Sequence, residues 1–475
     1  MKKGNPVALL PILVFLVLYL GLGIILEYVL GIEMGFYNIP IVVVFLIALA
    51  VACVQNRKMS LDDKIIAMGE GVGTKTIIYM ILIFMAAGIF VGVVGRGSAE
   101  SCAYWLLSIV PAEYAIGVMF VVACFVSISM GTSVGTITLL TPIGFAISQA
   151  TGFSLPLCVG TIMGGAMFGD NLSFISDTTI AACIGQDCQM SDKFKENFKI
   201  ALPAAIVTLI IVMALSFNSG ITGTIDEPYS LIQIIPYLLV FIGGIAGINV
   251  FIVLIIGIVS GAIIMLATGA TAPLDLMANM GSGAAGMFET TMVAILVSCI
   301  GALVRAYGGF DALMYALCKV FKGRKAGQLG MGLLVGCMDI ATANNTVAIV
   351  IANPIATDMA HHYGISRRKT ASILDTFSCV FQGILPYGAQ MLVAISAVVT
   401  LGGAVSAFQI LPCLIYPFAL CISCLLFIFI IPDKKEQQRA AAEAAEYEQP
   451  RAAETAEYAQ QQTGEVEHAS GNETE

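Results

Sequence analysis

The chain has 475 residues, 58% of them hydrophobic and 11% charged, with a mean hydropathy of +0.93 and a formal charge of −9. So few charges could not cover a water-soluble surface, which leaves a polytopic membrane protein. Much of the acid lies in residues 433–475, a low-complexity polar tail that cannot bury a core and reads as disordered, so the net charge says little about the membrane part.

In chain order, "MKKGNPVALLPILVFLVL" begins like a signal peptide. Its apolar run continues past the usual length without a small-residue cleavage site, which predicts an uncleaved first helix. The apolar segments that follow predict an all-α fold. Residues 1–220 hold seven segments: 6–30, 38–55, 76–95, 97–111, 113–149, 157–185 and 200–217. Residues 221–432 hold seven more: 230–247, 249–268, 285–304, 306–321, 326–360, 371–400 and 408–431. The 13 cysteines are scattered through apolar sequence without paired spacing and read as small packing residues. The three histidines, His361, His362 and His468, lie outside the apolar runs, which argues against haem or a histidine proton relay.

The two halves echo one another. "SLDDKIIAMGEGVG" (60–73) resembles "PLDLMANMGSGAAG" (273–286), with Met68 and Met280 212 residues apart. "GTSVGT" (131–136) falls on "ATANNT" (341–346) at 210, placing Thr132 opposite Thr342 and Thr136 opposite Thr346. "FGDNLS" falls on "ILDTFS" at 205, placing Asp170 opposite Asp375. Seven crossings per copy would invert one half relative to the other. Loop charge agrees: "NRKMSLDDK" is basic and reads as cytoplasmic, while its counterpart "TAPLDLMANM" has no Lys or Arg. "DKFKENFK", "HHYGISRRK" and the tail's "DKK" then also lie inside. One loop disobeys, since "CKVFKGRKAG" (318–327) would face outward, unless 97–111 and 306–321 are re-entrant rather than crossing.

Inverted repeats with interrupted helices place a transport site at the midplane where the copies meet. "MGTSVGT", "ATANNT", "FGDNLSFISD" and "FQGILPYGAQM" are the interruptions, because glycine, proline and short polar side chains all weaken a helix there. Unwound backbone at membrane depth must be satisfied by protein or water. Its carbonyls, with Ser, Thr and Asn oxygens, form a hard-oxygen set suited to Na+ or a polar solute; close packing of small residues is the plainer alternative.

Asp170 and Asp177 are seven residues apart, about 10.5 Å along an unbroken helix, so a single ion would not touch both. Asp170, at the end of one half-helix, is the better ion-binding carboxylate, since a desolvated Asp takes either a proton or a cation. Asp177 suits an N-cap of the next half-helix as well as it suits ligation. Asn171, Ser173 and Thr178 could add neutral oxygens. In the second copy Asp339 is the favoured carboxylate, with Asn344 and Asn345 at the break. Asp375 is its rival unless it merely pairs with the basic "SRRK". Glu289 reads as interfacial, Arg96 and Arg305 as snorkelling, and Tyr104 and Trp105 as interfacial anchors. No lysine lies within an apolar run.

"GTSVGTITLLTPIG" followed by "GAMFGDNLSFISDTTIAA" resembles the sodium/proton antiporters of the NhaC type, within the broader ion-transporter superfamily, and the hydrophobic plan is similar up to about residue 432. The resemblance implies a bacterial inner-membrane exchanger of Na+ for H+ without a cofactor. It also implies that Thr132, Ser133, Asp170, Ser173, Asp177 and Thr178 belong to or border the transport site. Phe174 in "LSFISD" departs from a proline commoner at that place, and the long acidic tail is a further departure. Expected partners are membrane lipid and a small inorganic cation as cargo, with a homodimer left open and no nucleic acid. Two readings follow. In the first, Na+ and H+ compete for the Asp carboxylates. In the second, Na+ or H+ drives a small organic acid or amino acid held by Asn344, Asn345 and half-helix N-termini. No HExxH motif supports a membrane enzyme.

Overall fold

Apolar runs longer than about 17 residues can satisfy their backbone in hydrocarbon only as helix, and the computed structural model is helical throughout its described residues, 4–32, 39–174, 176–221, 227–246 and 248–430. The acidic tail lies outside them. The first half runs through α1 (Leu10–Ile24), α2 (Ile41–Gln55), a short amphipathic α3 (Leu61–Val72), α4 (Lys75–Ile109), α5 (Ala112–Met130), α6 (Ser133–Thr151), α7 (Leu155–Leu172), α8 (Asp177–Gly185) and α9 (Met190–Asn218). The second comprises α10 (Leu231–Ile245), α11 (Val250–Ala267), α12 (Pro273–Gly286), α13 (Phe288–Ala306), α14 (Gly309–Val320), α15 (Arg324–Thr342), α16 (Asn345–Tyr363), α17 (Arg367–Ile384), α18 (Ala389–Thr400), α19 (Ala407–Ile410) and α20 (Ile415–Phe429). Seven helices among the described residues are long and apolar enough to cross a bilayer, eight if the bent pair 407–429 is one span. The protein is a multi-pass membrane protein.

Three expectations change. Segments 76–95 and 97–111 are one helix of 35 residues, α4, bent at Gly95, whose φ of 61° and ψ of −172° interrupt the ladder without ending it. Segment 306–321 yields α14, whose 12 residues reach only about 18 Å, short of a crossing. Segments 113–149 and 326–360 are not single interrupted crossings: α5 packs against α6, and α15 packs against α16. The chain turns back through one left-handed residue, Gly131 (φ 68°) or Ala343 (φ 45°), followed by an extended N-cap, Thr132 or Asn344. In contrast, α17 and α18 continue one another as a single broken span.

From α5 to α8 the helix boundaries repeat at one offset. Gly131 and Ala343, Pro142 and Pro354, and Gly152 and Gly364 each stand 212 residues apart, as do the starts of α5 and α15, α6 and α16, α7 and α17, and α8 and α18. The matches at 210 and 205 were therefore out of register. Asp170 faces Gln382 in the repeat, not Asp375, and Thr132 faces Asn344, not Thr342. The 205 match is a slip of seven residues, close to two helical turns, and an amphipathic pattern hardly changes under such a slip.

The halves interlock. One apolar core joins α1, α2 and α9 to α15, α16, α17 and α20, and a second joins α4 to α7 with α10, α11 and α18. Close packing places α7: a Cβ at Gly165 would lie 2.5 Å from Phe120 O, and one at Gly169 2.6 Å from Cys124 O, so only glycine lets α7 lie this near α5.

Candidate functional site

The four breaks converge on one cavity of about 540 Å3. Its floor is the last turn of α7, where Asp170 is 7% exposed. Ser133 Oγ, in the first turn of α6, donates to Asp170 Oδ2 at 2.7 Å, and Ser176 Oγ donates to Oδ1 at 2.6 Å. Ser176 is the N-cap of α8 and also contacts the Thr178 hydroxyl at 2.8 Å. From the other half, Gln382 Nε2 donates to Ala343 O at 3.0 Å and to Gln390 Oε1 at 2.8 Å, and Gln390 Nε2 donates to Ser133 Oγ at 3.1 Å. The chain of hydrogen bonds thus links the α15–α16 turn, the α17–α18 break and the α5–α6 turn to a carboxylate at the α7–α8 break. No ion pair involves Asp170 among the described residues, and Gln382 Oε1, buried beside it on the cavity wall, has no hydrogen-bond partner there.

The expected residues separate into groups. Thr132, Ser133, Asp170, Asp177, Thr178, Asn344 and Asn345 line the cavity. Asp177 is exposed toward it, with Lys75 on the same wall, and is the first residue of α8; the N-cap expected of it is Ser176 instead. Thr132 and Asn344 are N-caps whose side chains accept from Gly135 N and Val347 N. Thr136, Ser173 and Thr342 are turned to backbone: they donate to Thr132 O at 2.9 Å, Ile128 O at 2.7 Å and Met338 O at 2.8 Å, and line no part of this cavity. Phe174 lies in the break, stacked on Phe194 with centroids 4.8 Å apart.

Asn171 and Asp375 belong to a second cluster, on the other side of the α7–α8 break. Asp375 forms an ion pair with Lys193 of α9, both 1% exposed, and not with the "SRRK" sequence. In that sequence Arg367 pairs with Asp187 at 2.8 Å, Arg368 lies 3.6 Å from Glu196, and Lys369 sits over the Phe427 ring. The expectation that the apolar interior holds no lysine is overturned. "DKFKENFK" reads as a cytoplasmic loop in the sequence, but Lys193, Glu196, Asn197 and Ile200 recur at helical spacing on the buried face of α9. That spacing was the available signal. Gln382 and Gln390, also missed, flank "ILPYG", and two glutamines in an apolar run were the signal there. Asp339 is 0% exposed on α15, its carboxylate oxygens without partners among the described residues, and lines no part of the cavity. Glu289 is exposed in the first turn of α13, and Arg96 is held by Glu100 at 2.6 Å and over the Phe145 ring.

Among the described residues no three His, Cys, Asp or Glu side chains come together as metal ligands. A cation at this floor would therefore be held by one carboxylate with hydroxyl and amide oxygens, a weak set of the kind a carried ion can leave.

Comparison with known proteins identifies the family. A family model described as the Na+/H+ antiporter family matches residues 6–217 and 226–431. The chain is 24% identical over 200 residues to the Malate-2H(+)/Na(+)-lactate antiporter of Bacillus subtilis, a match spanning 42% of each chain. It is 22% identical over 388 residues to the Na(+)/H(+) antiporter NhaC of Alkalihalophilus pseudofirmus, covering 74% of this chain and 82% of that one. It is 22% identical over 350 residues to the Arginine/ornithine antiporter ArcD of Halobacterium salinarum, covering 67% and 71%. All three relatives are transporters, none an enzyme. With the family matched across nearly the whole membrane part, the chain belongs to the Na+/H+ antiporter family.

Proposed function

We propose that the protein exchanges Na+ for H+ across the bacterial cytoplasmic membrane by alternating access, with Asp170 as the group for which the two cations compete. The observation that carries this is the state of Asp170: a buried carboxylate held by two hydroxyls, with no basic side chain paired to it among the described residues. An isolated carboxylate in a low-dielectric site needs a counter-charge or a proton, and here either would come from the cavity. Asp375 has Lys193 as its counter-charge and is the poorer candidate.

Five crossings per half would supply the inversion: α1, α2, α4, α7–α8 and α9, then α10, α11, α13, α17–α18 and the 407–429 pair, with α2 and α10 as shorter apolar helices of 15 residues, α7–α8 as a broken span, and α5–α6 and α15–α16 as re-entrant hairpins from opposite faces. This count also brings "CKVFKGRKAG" inside, together with "NRK", "DKFK" and "SRRK". The connections after α1, α9, α11 and α18 then lie outside and carry no Lys or Arg. On this topology the cavity, whose mouth includes Lys75 and Asn249, opens to the cytoplasm. Rocking of one half against the other would expose the same floor outside.

A second reading has a specific observation in its favour. First-turn residues of α4, α6, α8, α11, α16 and α18 all line the cavity, and helix N-termini favour anions. About 540 Å3 also exceeds by far the ~30 Å3 that one water occupies, so a small organic carboxylate accompanied by Na+ or H+ would fit. The test is the purified protein in liposomes loaded with a pH-sensitive dye, pulsed with Na+, Li+, K+ and then with malate, lactate and arginine. Na+-driven proton flux that Asp170→Asn abolishes supports the first reading. Flux that requires an organic solute supports the second, and Na+-driven flux that survives Asp170→Asn refutes the role given to Asp170.

A further inference from the structure

No side chain of the Lys193 cluster lines the cavity, yet the cluster grips the backbone of the residue next to Asp170. Lys193 Nζ donates to Asn171 O at 2.8 Å and to Thr179 Oγ1 at 2.7 Å, and pairs with Asp375. Asn197 Nδ2 donates to Asn171 O and Asn171 Oδ1, each at 3.1 Å, and to Asp375 Oδ2 at 3.0 Å; Asn171 Nδ2 donates to Asp375 Oδ2 at 3.2 Å. All five side chains are 2% exposed or less. Asn171 O is one of the carbonyls left without an intrahelical donor where α7 ends, and a cation at a helix C-terminus offsets the negative end of its dipole.

The positions of the other half that correspond to Lys193, Asp375, Asn171 and Thr179 carry none of these polar side chains. At the 212-residue offset, Asp375, Asn171 and Thr179 correspond to Met163, Gly383 and Met391, and Lys193 to Val405. The structure that a break needs in order to exist is therefore present without the charges. What differs is that the α7–α8 break carries the carboxylate and the α17–α18 break carries glutamine.

We infer that Lys193, seated on Asp375 and Asn197, is a positioning residue for the cation site: it clamps the end of α7 from behind and holds the Asp170 carboxylate between Ser133 and Ser176. The inference rests on the reading of Asp170 as the exchange site only for its transport consequence; the clamp itself does not depend on the cargo. Lys193 pulls on the carbonyl of Asn171 from the α9 side, while the Asp170 side chain leaves the same helical turn toward the cavity. Loss of the clamp frees that turn to rotate, and Asp170 loses one or both hydroxyl donors. A merely structural ion pair behaves differently, since a buried pair can often be replaced by apolar groups of like volume without loss of stability.

The experiment compares wild type, Lys193→Met/Asp375→Leu and Asn197→Ala, the last removing donors to Asn171 O and Asp375 while leaving both charges in place. Hydrogen exchange of peptides covering 165–180 in lipid nanodiscs reads the clamp whatever is transported, and Na+-driven proton flux reads its effect on the site. The expected result is exchange at least tenfold faster at 170–174 in both variants, with peptides from α5, α6 and α18 unchanged. The Na+ concentration for half-maximal flux should rise at least tenfold in the double variant and about threefold in Asn197→Ala, with maximal rate and thermal stability closer to wild type. Unchanged exchange at 170–174 in Asn197→Ala overturns the clamp, and so does a double variant with wild-type Na+ dependence. If Na+ drives no flux in the wild type, the proposed function fails, while the exchange data still decide on the clamp.

Discussion

Gly169→Ala tests whether the distance between α5 and α7 sets the geometry of the site. A Cβ at Gly169 would sit 2.4 Å from Ser127 Cβ, 2.6 Å from Cys124 O and 2.6 Å from Ile128 N. Comfortable contacts lie near 3.5 Å, so about 1 Å of separation must be found. Two of the three obstructing atoms are backbone of α5, which a rotamer change cannot move. The helix α7 must therefore withdraw, and Asp170 is the next residue. A shift of about 1 Å along the 2.7 Å bond from Ser133 carries it past hydrogen-bond range. Overpacking of this kind costs about 1–3 kcal/mol of stability, and misplacement of a reacting group by about 1 Å can cost ~100-fold in rate. Proton flux in liposomes on Na+ pulses, normalised to reconstituted protein, should fall by about that factor. The control is Gly69→Ala on α3, where a Cβ meets nothing within 4 Å; it should transport normally and gain up to about 1 kcal/mol from helix propensity. Wild-type rate and Na+ half-saturation in Gly169→Ala would refute the claim that this contact positions the carboxylate.

Three further substitutions follow. Ala343→Gly relieves an L-residue held at φ 45°; the strain of about 1–2 kcal/mol, less the entropy glycine adds to the unfolded chain, leaves a net gain of about 0.5–1 kcal/mol, and a lowered thermal stability would contradict it. Ser176→Ala removes the N-cap of α8 and one of two donors to Asp170, for about 1–3 kcal/mol; Na+ half-saturation should rise severalfold, and no change would show that the hydroxyl is only a cap. Gln390→Leu breaks the link from Gln382 to Ser133, so Ser133→Ala should then have less effect than in the wild type, as a double-mutant cycle on flux can measure; full additivity would show that the glutamines and Ser133 act independently.

Much was legible without coordinates. Composition alone excluded a soluble protein, the internal echo pointed to a repeat of which the helix boundaries of α5–α8 and α15–α18 carry the trace, and the pairing of polar residues with glycine or proline marked the four breaks. Asp170, which lies buried at the cavity, stood out as a candidate because a carboxylate in an apolar run has few structural uses. These are local properties, carried by hydropathy and by the residues a helix cannot accommodate, and a linear string records them directly. What the chain order could not decide is which way each break sends the chain. "MGTSVGT" and "FGDNLSFISD" both read as interruptions, but a single left-handed residue before an extended cap folds α5 back on α6, whereas the longer break at 173–176 is followed by α8 at the cavity wall. That geometry turned two expected crossings into hairpins. Register between the halves was hidden for a similar reason, because a seven-residue slip preserves a helical pattern, and only the helix ends distinguished 205 from 212. Lys193, Gln382 and Gln390 acquired meaning only through their partners. Each is separated from what it touches by up to 257 residues or stands on a face whose burial depends on another helix. Burial of a charge is a property of its neighbours in space, and the tertiary structure is where those neighbours are chosen.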